Sequence, residues 1–198
     1  PELEVDLCGH ATLASAYTYF NFLNPAANEI VFYANRNAIK AVKANNGITL
    51  SLPKDEPRKI LDLNAFSPAL NAQVLEVYKG IDDFMVVLED EAAVANNNPD
   101  FSLIKSMDSR GLIITAKGEE VDFVSRWYGP QTGINEDPAT GSAHALLATY
   151  WSDILNKSEM SARQLSKRAG HLKCKVKDDH VEITGEAKLY LRGTLQFD

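Results

Sequence analysis

The sequence predicts an α+β fold, and three observations carry that expectation. Most apolar runs are short and of strand type, and long helical patterns are few. Two similar small-residue motifs, Leu7-Cys8-Gly9-His10-Ala11-Thr12 and Glu136-Asp137-Pro138-Ala139-Thr140-Gly141-Ser142-Ala143-His144, each open a helix. Many strands with few long helices argue against a parallel strand–helix–strand series. The repeated motif-plus-helix unit suggests a pseudo-repeat.

The first helix is expected over residues 9–21, where Leu13, Tyr17 and Phe20 recur at helical spacing and Asn24-Pro25 ends it. Strands at 29–33, 39–44 and 48–52 follow, with Asn46-Gly47 as a hairpin turn between the last two. Residues 53–68, charged and holding three prolines, read as a connection. Beyond it come apolar strand runs at 74–78 and 84–88, a short helix starting near Asn98-Pro99, and strands at 111–116 and 122–128. After the second motif Leu146, Tyr150 and Ile154 step by four beside Leu147, Trp151 and Leu155, the pattern of a core helix. The end returns to strands at 172–177, 181–184, 187–191 and 194–197, with a turn at Asp178-Asp179. Alternation in Lys173-Cys174-Lys175-Val176-Lys177 reads as a strand with a solvated basic face. The resulting division is a first domain at 1–54, a linker at 55–72, a second domain at 73–187, and a strand at 188–198 returning to the first domain.

Composition excludes several classes of partner. With 198 residues and 45% hydrophobic content the chain can bury a core as one domain or two small ones. A net charge of -7 argues against nucleic acid as a partner. No run of eighteen apolar residues and no secretory signal occur in this sequence, which points to no membrane association and a cytoplasmic location. Cys8 and Cys174 lie far apart without metal-ligand spacing, so neither a disulfide framework nor a metal site is expected. No phosphate-binding glycine loop or nicotinamide fingerprint appears, which fits a reaction needing no cofactor.

The chemistry sits at the two motifs. Two helix N-termini presenting unpaired backbone N–H groups can face one another across a cleft and hold an anion. Gly9 lets a ligand approach the backbone, and His10 beside it suits acid/base work near pH 7, or else lines the helix start as a satisfied polar group. Asp137 followed by Pro138 has the form of a helix cap with proline at the first helical position, a role compatible with catalysis. Gly141 and Ser142 are candidate donors to a substrate carboxylate, and close helix packing is the other reading of these small residues. His144 reads as a core histidine, Glu136 as solvent-facing or paired with Arg126, and Cys8 as a small buried hydrophobe. A Ser-His-Asp hydrolase built from Ser142, His10 and Asp137 lacks the G-x-S-x-G elbow.

The stretches LCGHATLASAY and NEDPATGSAHALLATYW resemble the two signatures of the phenazine-biosynthesis PhzF-like family. Val124-Ser125-Arg126-Trp127-Tyr128-Gly129-Pro130 resembles the segment before its second signature, and Gln164-Leu165-Ser166-Lys167-Arg168-Ala169-Gly170 its late Q-x-S-x-R-x-G element. The resemblance implies two similar domains, each a curved, mostly antiparallel sheet wrapped round a central helix as in diaminopimelate epimerase, with the active site between them. It implies a homodimeric, cofactor-independent isomerase that moves a proton on a small carboxylate; in the name-giving member the substrate is a dihydro-hydroxyanthranilate. His10 and Asp137 match active-site residues, with Gly9, Gly141 and Ser142 around the substrate. Related epimerases use a pair of thiols, and the second position here is Pro138, so a two-thiol mechanism is closed to this chain. The alternatives are an amino-acid-derivative epimerase or racemase, and a non-catalytic small-ligand-binding homologue. The sequence starts in mid-pattern at Pro1, and the family's N-terminal segment, with its catalytic glutamate, has no match here. The chain is therefore expected to be a C-terminal portion with an incomplete first domain, leaving side chains such as Tyr17 and Phe20 partly uncovered.

Overall fold

A computed structural model describes residues 8–34, 37–194 and 196. Helix α1, Gly9–Thr18, runs on through a π-helical turn at Tyr19–Leu23 and packs on the meander β1 (Glu29–Tyr33), β2 (Ala38–Ala44) and β3 (Gly47–Pro53). The β2–β3 turn is made by Asn45 and Asn46, one residue earlier than expected, and Gly47 supplies the positive φ of 124°. Only glycine fits there, because a Cβ would lie 2.3 Å from the Gly185 carbonyl oxygen.

The expected connection carries structure of its own, a short strand β4 (Arg58–Ile60) and the start of helix α2 (Phe66–Leu70). Strands β5 (Glu76–Lys79) and β6 (Asp83–Val87) lead into two short helices, α3 (Glu91–Ala95) and α4 (Phe101–Lys105), each begun by an aspartate cap. The second of these caps is Asp100, whose carboxylate accepts the Ser102 and Leu103 N–H groups. Strands β7 (Gly111–Lys117), β8 (Phe123–Gly129) and β9 (Ile134–Glu136) precede α5 (Gly141–Leu155), and β10 (Glu159–Gln164), β11 (Gly170–Val176) and β12 (His180–Gly185) follow it.

The strands join in the order β1-β2-β3-β12-β11-β10-β8-β7-β6-β5-β4, with β9 added on β8. Most of the described pairs are antiparallel; β6–β7 and β8–β10 are parallel. Strand β12 pairs with β3 along its whole length, so hydrogen bonding runs unbroken from the N-terminal meander into the later strands.

Side-chain alternation divides the interior in two. Met85, Val87, Ile113, Phe123 and Trp127 face α5, while Val86, Leu88, Leu112, Ile114, Val124 and Tyr128 face the opposite way, into a core closed by α2, α3 and α4. Strands β6 to β8 are thus covered on both faces, which explains their near-continuous apolar runs. Strands β3, β10, β11 and β12 contribute Leu50, Met160, Cys174 and Ile183 to the α5 side. Enclosed this way, α5 is buried from Ala143 to Trp151 around its whole circumference.

Several expectations need correction. Residues 186–194 form no strand, and Leu189, Tyr190 and Leu191 are exposed; positions 195, 197 and 198 of the expected terminal strand lie outside the described residues. Strand β10 escapes a reading by β-type composition because Ser161, Ala162, Arg163 and Gln164 are weak strand formers; it exists through its pairing with β8 and β11. Ile154 is 57% exposed because it points away from the side of α5 on which Leu155 still packs partly against the core. Of the two side chains expected to be partly uncovered, Tyr17 is half-buried and Phe20 is 2% exposed.

These placements set opposite outcomes for two similar truncations on one helix. Leu147→Ala should lower unfolding free energy by about 2–5 kcal/mol, and Ile154→Ala should change it by about 0.5 kcal/mol or less. Denaturant unfolding monitored by circular dichroism checks both.

Candidate functional site

Helices α1 and α5 meet at their N-termini. A Cβ placed on Gly9 would lie 3.2 Å from the Gly141 Cα, and one placed on Gly141 would lie 3.5 Å from the Gly9 Cα. Neither helix has a side-chain cap, because Cys8 and Thr140, at the two cap positions, make no hydrogen bond to the first-turn N–H groups. Two sets of unsatisfied donors and two positive dipole ends therefore converge at the two glycines. Gly9, His10, Ala139, Gly141, Arg168 and His171 all line one groove of about 720 Å³.

The candidate residues take distinct places around this point. His10 is exposed, with the Cys8 sulfur 3.7 Å from its Nε2. Cys8 is half-buried rather than buried, because α1 starts at the groove and leaves the thiol beside the imidazole. Asp137 and Ser142 do not line the groove. Asp137 is not the helix cap, and Pro138 is not the first helical residue; the helix starts four residues after Asp137, at Gly141, with Thr140 as cap.

The segment 137–140 is instead held as a loop by residues of the late Q-x-S-x-R-x-G stretch. The Thr140 hydroxyl donates to Asp137 Oδ2 at 2.6 Å. Gln164, with no exposed surface, donates from Nε2 to the Asp137 carbonyl at 2.7 Å and accepts the Thr140 N–H at 2.8 Å. The Ser166 hydroxyl donates to the Pro138 carbonyl at 2.8 Å. Gln164 fixes both the main chain that carries the Asp137 carboxylate and the threonine that orients it. The motif points to this stretch; its partner segment is a tertiary fact that spacing does not contain.

Glu136 pairs with Arg126, Nε to Oε1 at 2.6 Å and Nη2 to Oε2 at 3.0 Å, which fastens β9 to β8 just before the loop. His144 is buried without exposed surface, and its Nδ1–H donates to the Thr140 carbonyl at 2.8 Å. Burial pushes this imidazole down to about 4, opposed by the Thr140 carbonyl, so it is neutral at pH 7. A neutral ring locked on the cap carbonyl is a structural histidine.

The other flank of α5 carries charge that no sequence motif marks. Arg110 forks onto Asp83, Nε to Oδ1 at 3.0 Å with Nη2 on Oδ2, and its Nη1 donates to the Ser142 hydroxyl at 3.0 Å. Asp55, on the chain between β3 and β4, accepts the Ile81 N–H at 3.0 Å. Burial raises its carboxyl to about 6; the Ile81 N–H opposes the rise, and the Asp83 and Asp82 charges add to it. The three aspartates and the arginine come from segments far apart in sequence, with no common period to reveal them. Among the described residues no group of acidic, histidine and cysteine side chains has the arrangement of a metal centre, and no helix is long and apolar enough to cross a membrane.

Comparison with known proteins gives a consistent result. The family model described as phenazine biosynthesis-like protein matches residues 1–193. An uncharacterised isomerase of Pseudomonas aeruginosa is 40% identical over 195 residues, covering 98% of this chain and 75% of that protein. A crystal structure of a PhzF-family protein from Enterococcus faecalis superposes with a TM-score of 0.93 at 43% identity, covering 100% of this chain and 76% of that one. A predicted epimerase of Pseudomonas aeruginosa, 18% identical with a TM-score of 0.75 over 100% of this chain and 77% of that one, shares the fold. The α+β, epimerase-like architecture expected from the sequence is the one observed.

The helix contact and the buried titratable groups set two tests. Gly9→Ala gains about 1 kcal/mol of helix propensity against an overpacking cost of about 1–3 kcal/mol, so it should destabilise. Gly141→Ala, whose Cβ meets only ordinary contact, should be neutral or stabilising by the same melt. For pH, Asp55 is raised from 3.8 to about 6, so its favourable contribution is complete below pH 4 and is lost as pH rises through 6. Asp55→Asn keeps the acceptor for Ile81 and should add about 1–2 kcal/mol at pH 7–8, after discounting for solvent screening, and nothing at pH 4. His144 has the opposite sign: depressed from 6.5 to about 4, its contribution is complete above pH 6.5 and is lost as pH falls through 4. Unfolding free energies measured from pH 4 to 8 on both proteins separate the two groups.

Proposed function

The chain belongs to the phenazine biosynthesis-like family, and on that footing we propose that it is a cofactor-independent isomerase that moves a proton on a small carboxylate. The observation that carries this reading is the Gly9–Gly141 meeting of two uncapped helix N-termini beside His10. The isomerase names borne by related proteins support the reaction class.

In this mechanism the substrate carboxylate accepts from the first-turn N–H groups of α1 and α5, where the dipole ends favour negative charge. Glycine at both helix starts lets the two ends pack closely enough for one anion to reach the first turns of both. The Ser142 hydroxyl, which lies off the groove wall, adds a donor only for an anion seated on the first turn of α5 itself. His10, exposed on the groove wall beside the Cys8 sulfur, gives or takes the proton. Asp137 is aimed by Thr140 and Gln164 and orients the substrate's amino or hydroxyl group, or assists the proton transfer. The anion also offsets the mutual repulsion of the two helix ends.

A second reading, a one-thiol epimerase of an amino-acid derivative, is favoured by the Cys8 sulfur lying 3.7 Å from His10 Nε2. Substitution distinguishes the two. On the isomerase reading Cys8→Ala keeps most activity, and on the epimerase reading it abolishes it.

The direct experiment is to incubate the natural full-length protein in deuterium oxide with a panel of small cyclic and amino-acid-like carboxylates, and to follow solvent deuterium into each by mass spectrometry. His10→Asn and Asp137→Asn should each lower the exchange rate about 10²–10⁴-fold with melting nearly unchanged. Exchange unaffected by either change would remove both residues from the reaction.

A further inference from the structure

We propose that Arg110 is a positioning residue that sets the direction of the Ser142 hydroxyl, turning it into a dedicated donor for the substrate's anionic group. This rests on the reading of Ser142 as a substrate-binding residue.

A serine hydroxyl has one proton and two lone pairs, and it rotates to suit its neighbours. The guanidinium has donors only. By donating Nη1–H to Ser142 Oγ at 3.0 Å, Arg110 occupies a lone pair and cannot receive the serine proton. That proton is therefore driven away from the arginine. The Ser142 backbone sits in the first turn of α5, where helix N–H groups already point outward, so main chain and side chain become donors of one kind.

Arg110 is itself fixed on three sides. Asp83, 3% exposed, takes Nε at 3.0 Å and Nη2 in a fork, and its charge compensates a guanidinium withdrawn from water. The Arg110 N–H donates to the Asp82 carbonyl at 2.9 Å, which ties the main chain to the β5–β6 turn. The guanidinium also lies over the Trp127 ring, 5.5 Å from its centroid. That ring is wedged between Gly111 and Gly129, where added Cβ atoms would come within 2.5 and 2.0 Å of it. A head so constrained reaches Ser142 and Asp83 together only because the guanidinium is planar and forked; an ammonium on a flexible stem has no such fork.

The test is a mutant cycle on the natural full-length protein, with benzoate and inorganic sulfate as probes, titrated by amide chemical shifts at Gly141 and Ser142. Ser142→Ala should weaken benzoate about tenfold, the worth of one charge-aligned hydrogen bond. Arg110→Lys retains the charge beside Asp83, so it should fold, yet weaken benzoate by a comparable factor. The double variant should be no weaker than either single one, because both remove the same interaction. A paired Asp83→Asn, Arg110→Gln variant, which leaves no orphaned buried charge, should repeat the result, and should add nothing in the Ser142→Ala background. If Ser142→Ala weakens binding but the arginine changes do not, or if the effects multiply, the positioning role is overturned while Ser142 keeps its place as a ligand. If Ser142→Ala leaves both probes unaffected, the reading of Ser142 falls, and this proposal with it.

Discussion

The close approach of Gly9 to Gly141 is the contact on which the site depends. Two helices arrive there with their positive ends together, an arrangement that electrostatics opposes and that packing must enforce. The enforcement comes from α5, buried around its whole circumference from Ala143 to Trp151 by strands on every side. With α5 immobilised, α1 is pressed towards it by β2 and β3 through Ala16, Phe20, Ala41 and Leu50. The site is thus a by-product of where one shared core places two helix ends.

What prevents the helix starts from satisfying themselves is equally specific. Thr140 could have capped α5, but its hydroxyl is committed to Asp137 and its N–H to Gln164. Cys8 has no side chain suited to the task at α1. Donors that a stability-optimised protein would pair are left open, a form of local compromise found where a chain binds something. The charged groups nearby follow the same logic, since Arg110 is neutralised by Asp83 and the first turns keep their own polarity.

Much of this is legible in the sequence, for reasons that differ by element. Strands β7 and β8 and helix α5 follow from periodicity because both their faces, or all of their circumference, are buried. His10, Gly9 and Gly141 stand out because a polar side chain among very small ones at a helix start leaves the main chain open to a ligand. Asp137 reads as a cap because Asp-Pro is a standard helix opening. The loop that displaces it depends on Gln164 and Ser166, more than twenty residues away in sequence and visible only once β10 lies beside β8. Arg110 gives no signal for the same reason: its partners Asp83 and Ser142 come from a strand and a helix with no shared spacing.

The glycine contact has an evolutionary corollary. Neighbouring core residues ordinarily drift as pairs, one growing as the other shrinks, with total volume preserved. At Gly9 and Gly141 both partners already have the smallest side chain there is, so enlargement of Gly9 cannot be met by shrinking Gly141, whereas a methyl on Gly141 meets only ordinary contact. The two positions are also unequal, since the 3.2 Å clearance on one side is tighter than the 3.5 Å on the other. Of the pair, Gly9 has the narrower set of viable replacements. Innovation in ligand preference within this architecture must enter mainly through the surrounding side chains, with Gly9 as the fixed point about which specificity is rebuilt.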